Sequence, residues 1–234
     1  MLAASPMPAA QQPELIVAAA SDLAPMESVL VNSYLKVKGI SLRFVFGSSG
    51  LLARQIEQGA PYDVFLSADE RIVRELEERA YLDHGSVRTY ARGIVGLWSR
   101  GGRILRLEDL VGEGVTAVAL ANPSHAPYGA AAKAVLERRG LWERLKSKVV
   151  MGENVRQAMQ FAESGNADAA IVSWTLIHRR GGIRLPAEWH APISQAGGVV
   201  RGSSLMAAGR GFLEWLCGEQ GQKILEAGGL ARIP

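Results

Sequence analysis

Residues 46–56 read Phe-Gly-Ser-Ser-Gly-Leu-Leu-Ala-Arg-Gln-Ile, and they join a strand pattern to a helix pattern. The run 42–46 has the length and residue types of a strand, and apolar residues at helical spacing begin directly after Gly50. Free backbone N–H groups, the positive end of a helix dipole and serine hydroxyls meet at this junction. The stretch therefore predicts a strand–helix unit that can hold an anion without a charged side chain.

The alternation of strand and helix patterns continues along the chain and predicts an α/β fold built on parallel sheets. Strands are expected over 15–20, 42–46 and 63–67, and a second α/β block contains a strand over 90–98. Residues 181–201 are rich in Gly and Pro and are predicted to be irregular, with short extended pieces. Two blocks without a flexible linker predict two lobes joined by strands, with a cleft between them.

Three segments follow from this division. Residues 1–13 are rich in Ala, Pro and Gln and carry no charge, so they are predicted to be a disordered leader or the remnant of a signal peptide. Residues 14–89, together with about 195–234, are assigned to the first lobe. Residues 90–194 are assigned to the second lobe. The cleft between the lobes is then the expected ligand site.

The bulk composition narrows the class of protein. The chain has 234 residues, of which 48% are hydrophobic and 21% charged, so it can bury a sizeable core and is not a disordered chain. The net charge is +3 with Lys and Arg scattered, so no nucleic-acid partner is expected. Cys217 is the only cysteine, which excludes an intrachain disulfide and a cysteine-based metal site. No apolar run reaches the roughly 18 residues that a membrane span needs.

The anion-friendly junction has counterparts elsewhere in the chain. Ser21 follows the first strand and precedes a helix, as Ser49 does after the second strand. Tyr128 stands just before an Ala-rich helix predicted to begin at Ala130, and Asn154 and Val155 open the helix after Met151. One serine at such a place is usually an ordinary helix cap. Four neutral helix starts after strands favour a shared oxyanion site made of N–H groups and hydroxyls.

Sequence motifs typical of enzymes are less evident in this chain than the pattern of an oxyanion-binding site. The chain has neither a G-x-S-x-G nucleophile elbow nor a G-K-[ST] phosphate loop, and its four histidines lack metal-ligand spacing. An enzyme that uses Asp63 or His125 is the alternative from this class. Asp69 is predicted to cap the helix that begins at Glu70 rather than to form an acid–base pair with Asp63.

Several motifs together resemble the molybdate-binding proteins of bacterial ABC importers. The resemblance covers residues 15–173 well and the last sixty residues loosely. The motifs are Ala-Ala-Ala-Ser at 18–21, Gly-Ser-Ser-Gly at 47–50, Gly-Ala-Pro-Tyr-Asp-Val-Phe-Leu-Ser-Ala-Asp at 59–69, Glu-Asn-Val-Arg at 153–156 and Ala-Asp-Ala-Ala-Ile-Val at 167–172. The stretch 59–69 is long and highly specific.

The resemblance implies a two-lobed periplasmic-binding-protein fold of type II that closes on molybdate or tungstate. Carried over by motif, Ser21 and Ser49 would provide hydroxyls and N–H groups, and Tyr128 and Val155 would provide backbone N–H groups. Ser173 stands where many members have a tyrosine hydroxyl, so it would fill that place with a shorter side chain. The resemblance also implies a periplasmic or otherwise extracytoplasmic monomer that works with the permease of an ABC importer. Molybdenum or tungsten would be bound as the oxyanion, with no free metal cation and no cofactor.

The chemistry of the ligand agrees with such a site. A fully ionised tetrahedral dianion needs only donors, whereas the proton of monohydrogen phosphate would lack a partner in a site without acceptors. Asp22 would repel an anion if it pointed inward, so it is predicted to cap the following helix and face outward. A binding protein for sulfate or phosphate and a cytosolic oxyanion sensor are the remaining alternatives.

Overall fold

The chain builds two five-stranded sheets flanked by helices, as a computed structural model that describes residues 13–233 shows. The prediction for the leader, residues 1–13, falls almost wholly outside the described residues. The strands are β1 (Glu14–Ala20), β2 (Ser41–Gly47), β3 (Val64–Ser67), β4 (Arg88–Gly93), β5 (Val95–Ser99), β6 (Val118–Ala121), β7 (Val149–Gly152), β8 (Ala169–Ser173), β9 (Ile183–Arg184) and β10 (Ile193–Val199). The helices are α1 (Glu27–Lys38), α2 (Ser49–Glu57), α3 (Glu70–Glu78), α4 (Pro127–Arg138), α5 (Trp142–Leu145), α6 (Val155–Ser164), α7 (Trp174–Ile177), α8 (Met206–Cys217) and α9 (Glu219–Ala227), with a 3₁₀ turn over Ser21–Met26 before α1.

The first sheet has the order β2-β1-β3-β10-β4, and the second has the order β7-β6-β8-β5-β9. The α/β class predicted from the sequence is confirmed, but the expectation of purely parallel sheets is wrong. β10 runs antiparallel to β3 and to β4, and β5 runs antiparallel to β8. Each sheet is therefore mixed, because a strand that arrives from the other sheet enters it in the opposite direction.

The chain crosses between the sheets in two places. β4 ends at Gly93 in the first sheet and β5 begins at Val95 in the second, so the single strand predicted over 90–98 is in fact two strands that part at Ile94. The second crossing lies between β9 and β10. The lobe division predicted above, 14–89 with about 195–234 against 90–194, remains a prediction.

The stretch 181–201, predicted to be irregular, contains β10 at the centre of the first sheet. Gly197 is required there because a Cβ atom would lie 2.6 Å from Leu66 Cδ2 and 2.8 Å from Leu213 Cδ2. Glycine weakens the sequence signal of a strand while allowing close packing against its neighbours. The glycines that allow β10 to pack closely therefore also weaken the sequence pattern that would predict it as a strand.

Three apolar clusters hold the two sheets and their helices together. The largest lies on the second sheet, and the other two cover the two faces of the first sheet. Aromatic contacts between Tyr34, Phe212 and Trp215 join α1 to α8 on one of those faces. Within residues 13–233, no helix is both long and apolar enough to cross a membrane.

Candidate oxyanion-binding site

Four chain segments from the two sheets, each with a helix start, meet around one small pocket. Each segment leaves the carboxyl end of a strand and starts a helical turn there, which is where α/β folds bind ligands. The residues that line the pocket are Ala20, Ser21, Asp22, Gly47, Ser48, Ser49, Ala68, Ala126, Pro127, Tyr128 and Val155. The structure thus brings together Ser21, Ser49, Tyr128 and Val155, which the sequence places far apart.

Ser49 is fully buried at the first position of α2. Its Oγ accepts a hydrogen bond from the backbone N–H of Ala68 at 3.0 Å. Because that bond occupies the hydroxyl as an acceptor, its proton remains free to be donated into the pocket. The N–H of Ser49 lies in the first turn of the helix, where no earlier carbonyl is available to it.

Val155 offers a backbone N–H in a similar way. It is the first residue of α6, and the side chain of Asn154 accepts from the next two N–H groups, those of Arg156 at 3.1 Å and Gln157 at 3.0 Å. The cap leaves the N–H of Val155 itself unused. This arrangement directs one donor and the positive end of the α6 dipole towards the pocket.

Tyr128 and Ser21 complete the set of helix starts. Tyr128 is the second residue of α4, after Pro127, so its N–H also lacks a partner within the helix. Ser21 opens the 3₁₀ turn that follows β1 and is 3% exposed. The Ser21 hydroxyl makes no hydrogen bond to another residue within 13–233, which leaves it available to a ligand.

Asp22 lies inside the molecule, so the prediction that it caps a helix and faces outward is wrong. It is fully buried, and its Oδ2 accepts from the Tyr128 hydroxyl at 3.0 Å and from Gln195 Nε2 at 2.6 Å. Gln195 Nε2 also lies 3.1 Å from the Tyr128 hydroxyl. The pocket is therefore not free of acceptors, as the argument against monohydrogen phosphate had assumed.

The surroundings of Asp22 favour its neutral form. Burial raises the pKa of the Asp22 carboxyl from 3.8 to about 6, although the hydrogen bonds from Gln195 and Tyr128 act in the opposite direction. Burial also raises the pKa of Tyr128 and of Tyr90 well above the usual value for a phenol, and the charge of Asp22 raises both further. Both tyrosines are therefore neutral at physiological pH.

Ser173 does not line the pocket. It is fully buried at the end of β8, where its hydroxyl lies 2.9 Å from the hydroxyl of Thr175. The Thr175 hydroxyl donates to the backbone carbonyl of Asp22 at 2.7 Å. The structure therefore places Ser173 behind the 3₁₀ turn that carries Ser21 and Asp22, where its side chain also hydrogen-bonds to that of Tyr128.

The mouth of the pocket is closed by contacts that cross from one sheet to the other. Ser48 Oγ lies 2.8 Å from His125 Nδ1, and the N–H of Gly50 donates to the His125 carbonyl at 2.9 Å. Burial lowers the pKa of His125, and the charge of Arg54 lowers it further while that of Glu153 opposes the change. A neutral His125 therefore connects α2 with the loop before α4.

The carboxylates considered for acid–base chemistry have structural partners. Asp63 accepts from the Ile16 N–H at 2.8 Å and from the Ser203 hydroxyl at 2.6 Å. Asp69 caps α3 by accepting from the Arg71 N–H at 2.9 Å, which confirms the predicted cap. Across residues 13–233, no group of three or more His, Cys, Asp or Glu side chains could hold a metal ion.

Sequence reasoning missed three parts of this site. The inward carboxyl of Asp22 could have been inferred from its place beside Ser21, because both belong to the first turn after the same strand. Gln195 carried no signal, since its strand was predicted to be irregular. The contact between Ser48 and His125 joins residues 77 positions apart and has no sequence pattern.

Comparisons with known proteins agree on one family. The sequence profile of the bacterial extracellular solute-binding proteins matches residues 15–231. The chain is 34% identical over 209 residues to the molybdate-binding protein ModA of Rhodobacter capsulatus, covering 87% of this chain and 82% of that protein. It is 30% identical over 218 residues to the putative ABC transporter substrate-binding lipoprotein YvgL of Bacillus subtilis, covering 90% of this chain and 83% of that protein.

A solved structure shows the same architecture. The periplasmic molybdate-binding protein of Azotobacter vinelandii superposes with a TM-score of 0.89 at 31% identity, covering 94% of this chain and 99% of that one. The match covers nearly the whole of both chains, which is consistent with a binding-protein fold. On the profile match, the sequence identities and the shared architecture, the chain belongs to the family of bacterial extracellular solute-binding proteins.

Proposed function

We propose that this chain is an extracytoplasmic solute-binding protein that captures molybdate or tungstate between two lobes and delivers it to the membrane permease of an ABC importer. The observation that carries the proposal is the convergence of four neutral helix starts on one small buried pocket. Uncharged donors of this kind suit a fully ionised tetrahedral anion. The printed names of the relatives, which bind molybdate or serve ABC transporters, support the choice of ligand and partner.

Each ligand-binding residue has a role in this proposal. The hydroxyl groups of Ser21 and Ser49 donate to oxygens of the anion, as do the backbone N–H groups of Tyr128 and Val155. Ser173 acts from behind, because its hydroxyl holds Thr175 and Thr175 holds the turn that presents Ser21. The four donors contact the oxygens of the anion, so none of them is a ligand of the metal atom itself.

The same proposal assigns the protein no catalytic turnover and no cofactor, and it treats the protein as a monomer. Asp63 and Asp69 are engaged in structural bonds, which argues against their use as an acid–base pair. Binding and release then depend only on opening and closing around the anion. The permease supplies the energy-coupled step of transport.

A screen of oxyanions tests the ligand. The melting temperature of the purified protein would be measured with molybdate, tungstate, sulfate and phosphate at equal ionic strength, followed by calorimetric titration of each anion that raises it. Molybdate and tungstate are expected to raise the melting temperature, because a ligand at 100 times its Kd adds about 2.7 kcal/mol to the free energy of unfolding. Stabilisation by sulfate or phosphate, with no effect of molybdate or tungstate, would contradict the proposal.

A further inference from the structure

Two buried oxygen atoms next to the pocket lack a hydrogen-bond donor. They are Oδ1 of Asp22 and Oε1 of Gln195, and both side chains are fully buried. The partner atoms of the same two groups, Oδ2 and Nε2, are 2.6 Å apart and satisfy each other. Buried acceptors without a donor are rare and costly, so a proton is missing from this pair when Asp22 is ionised.

We propose that the pocket binds its oxyanion together with one proton, which resides on the carboxyl group of Asp22. The inference rests on the proposed function, because it concerns the same pocket and the same ligand. In the free protein Asp22 is mostly ionised at neutral pH. In the complex it is a neutral carboxylic acid.

The charge balance of the pocket requires this step. Asp22 lines the pocket with the donors, and none of the ion pairs among residues 13–233 includes it. An ionised Asp22 would therefore place a negative charge in the wall of a pocket that holds a dianion, where the polar side chains are at most 4% exposed. Two negative charges in so dry an environment repel strongly, and protonating the weaker acid removes the repulsion.

No other group in contact with the Asp22 side chain can take up the proton. Tyr128 from α4 and Tyr90 from β4 face Asp22, and burial keeps both as neutral phenols. Gln195 from β10 and Thr175 from α7 are not ionisable. The charged side chains closest to the 3₁₀ turn lie elsewhere: Arg156, Glu163, His178, Arg179, Arg180 and Lys223 line a separate groove on its outer side, and Arg54, His125 and Glu153 interact at the mouth.

The proton and charge balance is simple. One proton from solvent joins Oδ1 of Asp22, which becomes an O–H donor, while Oδ2 continues to accept from Tyr128 and Gln195. The charge of Asp22 changes from −1 to zero as the dianion enters. When the anion leaves, the same proton returns to solvent.

Calorimetry counts this proton directly. Molybdate, which stays a dianion over the range, would be titrated into wild-type protein between about pH 5.5 and pH 8.5 in pairs of buffers with different enthalpies of ionisation. We expect uptake of close to one proton per anion above about pH 7, and an affinity that falls about tenfold per pH unit, because the proton must be taken from an increasingly dilute pool. Binding of molybdate without proton uptake would overturn this inference and leave the proposed function standing.

Two variants separate Asp22 from other sources of protons. Asp22→Asn keeps the shape and removes the ionisation, so we expect no proton uptake, an affinity that varies less than about twofold with pH, and binding up to about 100-fold tighter than wild type at pH 8. Glu113→Gln removes the same charge from an exposed turn and should behave as wild type. Proton uptake that persists in Asp22→Asn would assign it to another group and overturn the inference.

A spectroscopic measurement on the unaltered protein covers the case in which Asp22→Asn does not fold. The carboxyl carbon of Asp22, followed by ¹³C NMR, should titrate near pH 6 in the free protein and remain protonated to above pH 8 with molybdate bound. A titration midpoint that molybdate leaves unchanged would overturn the inference. Failure of molybdate to bind wild type at every pH would overturn both this inference and the proposed function.

Discussion

At the scale of single residues, Ser49 shows how a neutral side chain is fixed as a donor to an anion. Its Oγ accepts from the Ala68 N–H, so the hydroxyl rotor has little freedom and its proton is directed away from Ala68. A hydroxyl without such a bond would lose rotational freedom on binding, whereas this one is already oriented. The same bond also satisfies a buried backbone donor, which ties the site to the edge of β3.

Replacing Ser49 with Ala removes one hydrogen bond to a charged ligand. We expect the affinity for molybdate to fall by about 1.5–3 kcal/mol, which is roughly 10- to 150-fold, measured by calorimetric titration. The control is Ser164→Ala, an exposed serine at the far end of α6. Equal affinity in wild type and Ser49→Ala would remove Ser49 from the set of direct ligand contacts.

Asp22 sets a pH dependence of stability in the free protein. Its pKa is higher in the folded state, about 6, than in the unfolded state, about 3.8, so the folded state binds the proton more tightly. The stability contributed by protonation is therefore fully present below about pH 4 and is lost as the pH rises through about 6. Raising the pKa by this amount corresponds to about 3 kcal/mol in the free energy of unfolding.

The matching prediction is that Asp22→Asn is more stable than wild type at neutral pH. The difference in unfolding free energy, from urea denaturation without ligand, should be small near pH 4 and grow to about 3 kcal/mol at pH 7.5, because only wild type carries the buried charge there. A difference that stays constant with pH would show that the carboxyl is not the cause.

At the scale of elements, the sequence predicts best where one strand leads into one helix. The junctions at Ser21, Ser49 and Val155 are where they were expected, because strand length and helical spacing are local signals. Tertiary contacts decide the rest. The chain breaks at Ile94 because β4 pairs in the first sheet and β5 in the second. The glycines of β10 have no intrinsic strand propensity, and they form a strand because of the residues that pack against them.

Tertiary contacts also explain which residues of the site could not be predicted from the sequence. Ser21, Ser49, Tyr128 and Val155 follow from helix starts and motifs, and the structure gathers them around one pocket. The inward side chain of Asp22 and its partner Gln195 depend on a contact across 173 positions of sequence, which no periodicity encodes. Ser173 differs again, because its hydroxyl is engaged by Thr175 only once α7 has formed.

A substitution at Gly50 in α2 tests the contact between that helix and His125. A Cβ atom there would lie 2.9 Å from the His125 carbonyl oxygen and 3.0 Å from the His125 Cβ, so Gly50→Ala should hinder closure. In the open state alanine favours the helix by up to about 1 kcal/mol. We therefore expect unchanged or higher thermal stability without ligand but at least tenfold weaker binding of molybdate.

Gly114→Ala is the matched control for this prediction, because a Cβ at Gly114 meets no atom within 4 Å. Affinity and melting temperature would be measured for both variants side by side. Binding by Gly50→Ala that equals that of Gly114→Ala would show that closure does not depend on the contact with His125.

At the scale of the whole molecule, the pocket belongs to neither sheet alone. Ser21 and Ser49 follow strands of the first sheet, whereas Tyr128 and Val155 follow strands of the second. The two crossings, at Ile94 and before β10, are the covalent connections across which the halves must move. A ligand that bridges the halves stabilises the arrangement in which they are close.

Molybdate is therefore expected to make the protein more compact in solution. Small-angle X-ray scattering would compare the radius of gyration with and without the anion, and we expect a decrease on binding because an open population is drawn into the closed form. Gly50→Ala should show a smaller decrease at a saturating concentration of molybdate. The same radius of gyration in both states of wild type would contradict this expectation.

The contacts of Ser48 and Gly50 with His125 also affect how long the anion stays bound. Ser48 and Gly50 contact His125 from the other half of the molecule, so we expect the opening of those two bonds to accompany release of the anion. The residence time of the cargo is then set partly by a histidine outside the lining of the pocket, and not only by the donors that hold the oxygens. How long the protein carries its anion before reaching the membrane is adjustable at His125 with little change to the groups that recognise it.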